Sequence, residues 1–378
     1  LSSLRLALWY ASRNNNSLAI ADVEGAYLHA VLGGPPTFLT LPAEARPRGW
    51  ETMENPVVRA KKAIYGLSRS GSDFAIHAKS ILGKYGWTNT SSDMSLYSKN
   101  HMLLLIYVDD IMIVGPQDRL PRELENLKAG FGINSFQTLD DSTVSSCIKY
   151  LGITITSTPT HIELSMERYT RSILEEYCLA IGQPVLRKAK SPGWTDISSV
   201  EEATAPGSLA PRAAEFVGKL LWMSRTTRPD ITFAVHYLSG LVSKWSVHAD
   251  KALGRIMQYL FHYPSLGIAY ERKTGKPIEQ VKIITFVDAD HAGQALSTRS
   301  TNGYAIYLED GNIRDLVDWS SKRQSTTALS TAEAELMAMS HGLKMTLAHE
   351  SFFEEAFGAT DQIESIIFCD NQTAIQAV

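Results

Sequence analysis

Three cysteines in 378 residues (Cys147, Cys178 and Cys369) are too few and too scattered for a disulfide framework or a CxxC metal knuckle. Their odd number fits a reducing compartment. No apolar run reaches the length of a membrane-spanning helix, because Asp109 and Asp110 interrupt the most apolar stretch. No signal peptide is visible, so no membrane partner is expected. With a net charge of −4 and a pI near 6.2, the chain lacks the overall basic balance of a nucleic-acid binder. Local patches can still meet phosphates. Arg59, Lys61, Lys62 and Arg69 lie close together with no acid among them, and Arg187, Lys188 and Lys190 form a second group. Most such patches are solvated surface. Internal repeats and long low-complexity segments are also missing. What remains is an ordinary globular composition, 44% hydrophobic and 20% charged, long enough for two or three domains. The chain starts with Leu1 rather than Met and stops inside an apparent element, so a fragment is expected.

Against this plain background, Tyr107-Val108-Asp109-Asp110 stands out. Short apolar runs flank it, Met102 to Val108 and Ile111 to Val114, and both read as strands. Two acids between two strands predict a tight hairpin with both carboxylates at its tip. Like charges at one spot raise each other's pKa and oppose compaction unless a cation screens them. Two readings fit: a divalent-metal site on a rigid support, or a solvated turn that uses Asp for its turn propensity.

Residues 1 to about 115 mix helical and strand patterns around a Gly33-Gly34-Pro35-Pro36 loop. A charged helical segment follows near 118, then a strand-like run from Ile148 to Ile155 and a helix from Ser165 to Cys178. Residues 182 to 212, rich in Pro, Gly, Ser and Thr, read as a linker or long surface loop. Ala213 to about Tyr263 is helical, with Phe216, Leu220, Met223, Phe233, Val235 and Leu238 at apolar positions. Residues 281 to 378 open with a strand and look like a compact α/β unit.

Two-metal chemistry needs a further carboxylate near Asp109 and Asp110. Asp22, ending the apolar run Leu18 to Ala21, is the candidate; a helix N-cap is the bland alternative. Asp22-Val23-Glu24-Gly25-Ala26-Tyr27-Leu28, Lys62-Ala63-Ile64-Tyr65-Gly66-Leu67 and Tyr107-Val108-Asp109-Asp110 together resemble the reverse transcriptase of copia-type LTR retrotransposons. Tyr150-Leu151-Gly152-Ile153, Leu164-Ser165 with Tyr169, and Thr227-Arg228-Pro229-Asp230-Ile231 with Phe233-Ala234-Val235 extend the resemblance over nearly the whole chain. It implies that Asp22 and Asp109, with Asp110 beside them, hold two Mg²⁺ ions that activate a DNA primer's 3′-hydroxyl and stabilise the α-phosphate of a dNTP over an RNA template. It also implies that Tyr27 is an aromatic gate beneath the nucleotide sugar, although a core aromatic is the alternative. Tyr107 and Val108 would line the hairpin near the primer end. Two departures bear on activity. Ser68-Arg69 stands where family members commonly carry Lys-Gln, so Arg69 is expected to touch nucleotide phosphate instead. The upstream fingers segment that grips the triphosphate is not in the chain, so weak polymerisation is expected.

A second set of acids lies near the end. Asp288 closes the strand Ile283 to Val287, and Asp370 follows the strand Ile366 to Cys369. Ser330-Thr331-Ala332-Glu333 is a capping-box pattern that opens a helix between them. Glu335 lies on that helix with Ala332, Ala338 and Met339 around it, an apolar face that points inward. The region resembles the RNase H domain of the same family in Arg299-Ser300-Thr301, Gly303-Tyr304, Trp319-Ser320-Ser321-Lys322, Gln324 and Ala334-Glu335-Leu336. The resemblance implies that Asp288, Glu335 and Asp370 bind two Mg²⁺ and activate water to cut RNA in an RNA–DNA hybrid. Asp290 reads as a turn residue, and His291 replaces a Trp common in the family. The family's fourth acid falls beyond Val378, so slow cleavage is expected.

The expected fold is α+β. A reverse-transcriptase palm with partial fingers spans 1–117, a helical and mixed thumb and connection region spans 118–280, and a C-terminally truncated α/β RNase H-like domain spans 281–378. The leading function is an RNA-directed DNA polymerase with an attached RNase H endonuclease, acting in a cytoplasmic particle or the nucleus by resemblance. One alternative is a catalytically inactive or repurposed remnant that folds and binds nucleic acid. Another is RNase H activity alone. No oligomeric state follows from the sequence.

Overall fold

The computed structural model describes the chain apart from residues 15, 92, 140–145, 195–196, 198, 294–297 and 360–362. Its elements begin with α1 (Ser2–Ala11), β1 (Asn16–Asp22), α2 (Ala26–His29), β2 (Phe38–Thr40), β3 (Val57–Arg59) and α3 (Ser70–Lys84). Next come β4 (Thr88–Asn89), β5 (Leu96–Lys99), β6 (Met102–Tyr107), β7 (Asp110–Pro116), α4 (Leu120–Phe131) and β8 (Gln137–Leu139). The middle holds β9 (Ser146–Tyr150), β10 (Ile153–Ser157), β11 (His161–Ser165), α5 (Glu167–Ile181), α6 (Val200–Thr204), α7 (Ala213–Thr226), α8 (Thr232–Ser239) and α9 (Val247–His262). Last are β12 (Ile268–Glu271), β13 (Lys282–Asp290), β14 (Thr301–Asp310), β15 (Ile313–Arg323), α10 (Thr331–Phe357), β16 (Ser365–Phe368) and α11 (Gln372–Gln376). The chain divides into two compact units, residues 17–138, and residues 1–16 with 139–378.

The 17–138 unit is built on a six-stranded sheet in the order β4-β5-β6-β7-β1-β8. Its central strands are apolar because they are covered: Leu104, Ile111 and Ile113 are fully buried, and Leu127 and Phe131 of α4 pack into the same core. Pro121 in the first turn of α4 and Gly132 just past its end (φ +66°) set that helix's limits. β6 and β7 pair antiparallel with Tyr107 opposite Asp110.

The other unit carries two sheets and a helical layer. β12-β11-β10-β9 is an antiparallel sheet. The strand expected over 148–155 is here a hairpin, β9 turning into β10. Leu151 (φ +49°) and Gly152 (φ +77°) take the two left-handed positions of a tight type I′ turn. The apolar run hides that turn because its first corner is Leu. α5, α7, α8 and α9 enclose a core that includes Phe216, Leu220, Met223, Val235 and Leu238, while Phe233 is exposed. The second sheet runs β15-β14-β13-β16, an antiparallel meander with β16 parallel to β13. α10 packs on it through Ala334, Ala338 and Gly342, four residues apart; a Cβ on Gly342 would lie 2.3 Å from Val287 Cγ1.

The first helix belongs with this second sheet, although it precedes the palm strands in the chain. Arg5 donates to Val317 O (2.6 Å), Arg225 O (2.7 Å) and Asp318 Oδ1 (2.8 Å). Trp9 Nε1 donates to Asp315 (3.1 Å), and Arg13 forms a buried ion pair with Asp310.

Candidate active sites

The first acidic centre sits where two strand ends meet. Asp22 is the last residue of β1, and the next N–H, that of Val23, donates to Asp109 O at 2.8 Å. This bond ties the end of β1 to the β6–β7 turn and brings Asp22 beside Asp109. α2 is capped at Gly25, so Asp22 is not its N-cap. The turn differs from expectation in one respect. Its corner residues are Val108 and Asp109, and Asp110 is the first residue of β7, opposite Tyr107. Only Val108 of the two has positive φ, +59°, the pattern of a II′ turn. Turn propensity would put Gly there; a β-branched residue is strained by roughly 1–3 kcal/mol. The hairpin is therefore shaped for more than turning the chain.

Burial pushes the Asp110 carboxyl above its ordinary pKa, and the charges of Asp109 and Asp22 push it further. Asp22 and Asp109 form no ion pair among the described residues. Three carboxylates supply the hard oxygen donors that Mg²⁺ takes. They are gathered loosely, not as a set closing within 4.8 Å.

Tyr27 is half-buried in α2, its ring 4.6 Å from Tyr65 and 6.2 Å from Phe74. Tyr65 was missed as a site residue. It is exposed, and its phenol pKa is raised by burial of the hydroxyl, then by the charges of Asp109, Tyr27 and Asp22. The turn that presents it uses Gly66 at φ +92° and is closed by Ser70, whose Oγ donates to Ile64 O at 2.6 Å. Arg69 is engaged within the protein: Nε and Nη2 donate to Asp73 at 3.0 and 2.9 Å, and Asp73 also accepts the Gly33 N–H at 3.0 Å. The Arg69 side chain remains 41% exposed.

The second acidic centre is assembled from three elements of the other unit. Asp288 is exposed on β13, opposite Gly303 of β14. Glu335 is only 4% exposed on α10. The Ser330 hydroxyl accepts the Glu333 N–H (3.1 Å) and Glu333 accepts the Leu329 N–H (2.7 Å), which starts α10 at the register that turns Glu335 inward. Asp370 follows β16, just before Asn371 caps α11. Burial raises the Glu335 pKa and Asp288 raises it further; the Ala289 N–H opposes this, and Asp370 adds to the rise.

Cys369 was read only as a scattered thiol. Its Sγ lies 3.8 Å from Glu335 Oε2, and Glu335, Cys369 and Asp370 bring ligand atoms within 4.8 Å of one another. Burial pushes this thiol's pKa up, so it stands there protonated. The carboxylates suit Mg²⁺, and the protonated sulfur donates to Glu335 rather than serving as a metal ligand. Asp290 ends β13 opposite Thr301 rather than sitting in a turn, and His291 Nε2 lies 3.4 Å from Ala328 O. No helix among the described residues is long and apolar enough to cross a membrane.

The chain is similar to known proteins. The reverse transcriptase (RNA-dependent DNA polymerase) family matches residues 1–187. The retrovirus-related Pol polyprotein from transposon RE1 of Arabidopsis thaliana is 28% identical over 98% of this chain, and that from transposon TNT 1-94 of Nicotiana tabacum is 27% identical over 99%. The chain spans about a quarter of the length of these relatives, 24% and 27% respectively. A foamy viral protease–reverse transcriptase, solved with an RNA/DNA hybrid, shares the fold, with a TM-score of 0.52 at 14% identity over 98% of this chain and 41% of that one. With its α+β fold, the ordered motifs and these relatives, residues 1–187 belong to the reverse transcriptase family, and the chain along nearly its whole length is similar to the Pol polyproteins of copia-type retrotransposons.

Proposed function

We propose that the chain is the RNA-directed DNA polymerase portion of such a polyprotein, with an attached RNase H. The observation that carries the polymerase reading is the strained β6–β7 hairpin tied through Asp109 O to the strand end that bears Asp22. Asp22, Asp109 and Asp110 would hold two Mg²⁺, which would lower the pKa of the primer 3′-hydroxyl and balance charge on the transferring phosphate. The protein's own share is positioning: short strands fix the carboxylates, so little reorganisation is needed when charge develops. Tyr27, its ring in tilted contact with Tyr65, supports the sugar of the incoming dNTP. Arg69, steadied by Asp73, meets phosphate with its exposed face.

At the second centre, Asp288, Glu335 and Asp370 would hold the ions that activate water against the RNA strand of a hybrid. The β13-centred sheet with parallel β16, and the inward Glu335, support this reading. A remnant that folds and binds nucleic acid without catalysis is the competing reading, favoured by the occupation of Arg69 with Asp73.

Primer extension on an RNA template with Mg²⁺ separates these readings. The parent chain should extend the primer and Asp109→Asn should not; no extension by either sinks the polymerase assignment. Hybrid cleavage should survive Asp109→Asn and disappear with Asp288→Asn. Cleavage that persists in Asp288→Asn would remove the nuclease assignment.

A further inference from the structure

Neither acidic centre uses the basic group Arg187, Lys188 and Lys190. The segment that carries it is pinned across α9. Ala189 N–H donates to Gln258 O (3.3 Å), His262 Nδ1 to Ala189 O (3.0 Å) and Arg255 Nε to Ser191 O (2.8 Å). Leu186 and Ala189 point into the core, which leaves the three basic side chains exposed. Beside them opens a cleft of about 750 Å³, with Tyr177, Arg187, Trp194, Asp250, Lys251 and Arg255 in its lining.

The cleft's charge is net positive. Asp250 is consumed internally, accepting from the Ser208 N–H and hydroxyl, the Leu209 N–H and Trp245 Nε1. Lys251 is balanced by Glu202 at 2.8 Å. Arg187, Lys188, Lys190 and Arg255 have no acidic partner among the described residues. Trp194 keeps 36% of its surface exposed in the wall. Burial pushes the Tyr177 hydroxyl up to about 12, so it stays a neutral donor at the floor.

Fixed cations beside an open indole, at a cleft of small-ligand size, suit phosphates outside and one unpaired base inside. A duplex keeps its base faces stacked and cannot present one to Trp194. We propose that this cleft and its basic rim bind a single-stranded polynucleotide, with one base stacked on Trp194 and its phosphates on Arg187, Lys188 and Lys190. The site is independent of whether either acidic centre is catalytic.

The test is fluorescence anisotropy of labelled oligo(U) and oligo(dT) with the whole chain over a salt series. Trp194→Ala should weaken single-strand binding about fivefold or more, and Trp194→Phe should restore most of it. Replacing Arg187, Lys188 and Lys190 together by Ala should lower the salt slope by about 2, at ~0.7 per phosphate. A 4-thiouridine oligonucleotide should crosslink to the peptide bearing Trp194. The two oligonucleotide arms tell RNA from DNA. Unchanged affinity and slope with crosslinks elsewhere would overturn the proposal. So would an equal loss of duplex binding, or poly-glutamate competing as well as oligo(U), which would mark an acidic-polypeptide site.

Discussion

Arg5 should be the residue whose loss detaches the first helix from the C-terminal sheet. Its guanidinium is buried with Asp318 (side chains 4% and 7% exposed), donates to two carbonyls, and lies 4.0 Å over the Trp319 ring. Arg5→Met keeps most of the apolar stem but leaves the Asp318 charge buried, with the Tyr304 hydroxyl at 3.3 Å as its remaining side-chain hydrogen-bond donor among the described residues. Breaking one side of a buried pair costs about 3–5 kcal/mol. At roughly 2–4 °C per kcal/mol for a unit of this size, Tm should fall by about 6–20 °C. Thermal unfolding and urea midpoints, read through Trp9 and Trp319, measure this. A double-mutant cycle with Asp318→Asn isolates the pair: the double variant should lose well under the sum of the two single losses. A fall below about 2 °C for Arg5→Met, or additive losses, would refute the docking argument.

Gly342→Ala should destabilise by about 1–3 kcal/mol, because its Cβ would meet Val287 Cγ1 at 2.3 Å; adding Val287→Ala should recover part of the loss in a urea titration. His349 is buried, and burial holds its pKa below 6.5 despite Asp318 and the Met345 carbonyl, which pull the other way. The unfolded chain therefore binds a proton that the native state refuses, so stability is lost as pH falls through 6.5 toward the folded value. The drop in urea midpoint between pH 7 and 5.5 should be shallower in His349→Leu. Equal drops would show that another histidine governs that range.

The acids were legible because catalysis needs particular residue types in a set order, and local patterning ends strands at them. Asp22 at a strand end, Asp109 at the hairpin tip and Glu335 on an inward helix face could be placed from neighbours within four residues; Asp288 was expected to close its strand, but β13 pairs on to Asp290. Other features left no local trace. Leu151 at a left-handed corner is invisible to propensity, and it hid the β9–β10 hairpin. Val108, rather than an acid, takes the strained position of the palm turn. Tyr65 and Cys369 became site residues only when turns far apart in sequence met the carboxylates.

The sequence by itself determined the α+β class, the ordered motifs that carry the family resemblance and the positions of two candidate acidic sets, since motif chemistry and hydrophobic period are written residue by residue. Only the tertiary structure decided that α1 docks on the last sheet, that Arg69 is held by Asp73, and that Trp194 faces a basic cleft. The docking of α1 pairs segments some three hundred residues apart, as Arg5 and Asp318 are, and no local pattern encodes which partner a buried charge will find. Arg69 and Asp73 are only four residues apart, but Asp73 is fixed as their partner by a loop forty residues upstream, whose Gly33 N–H it also accepts.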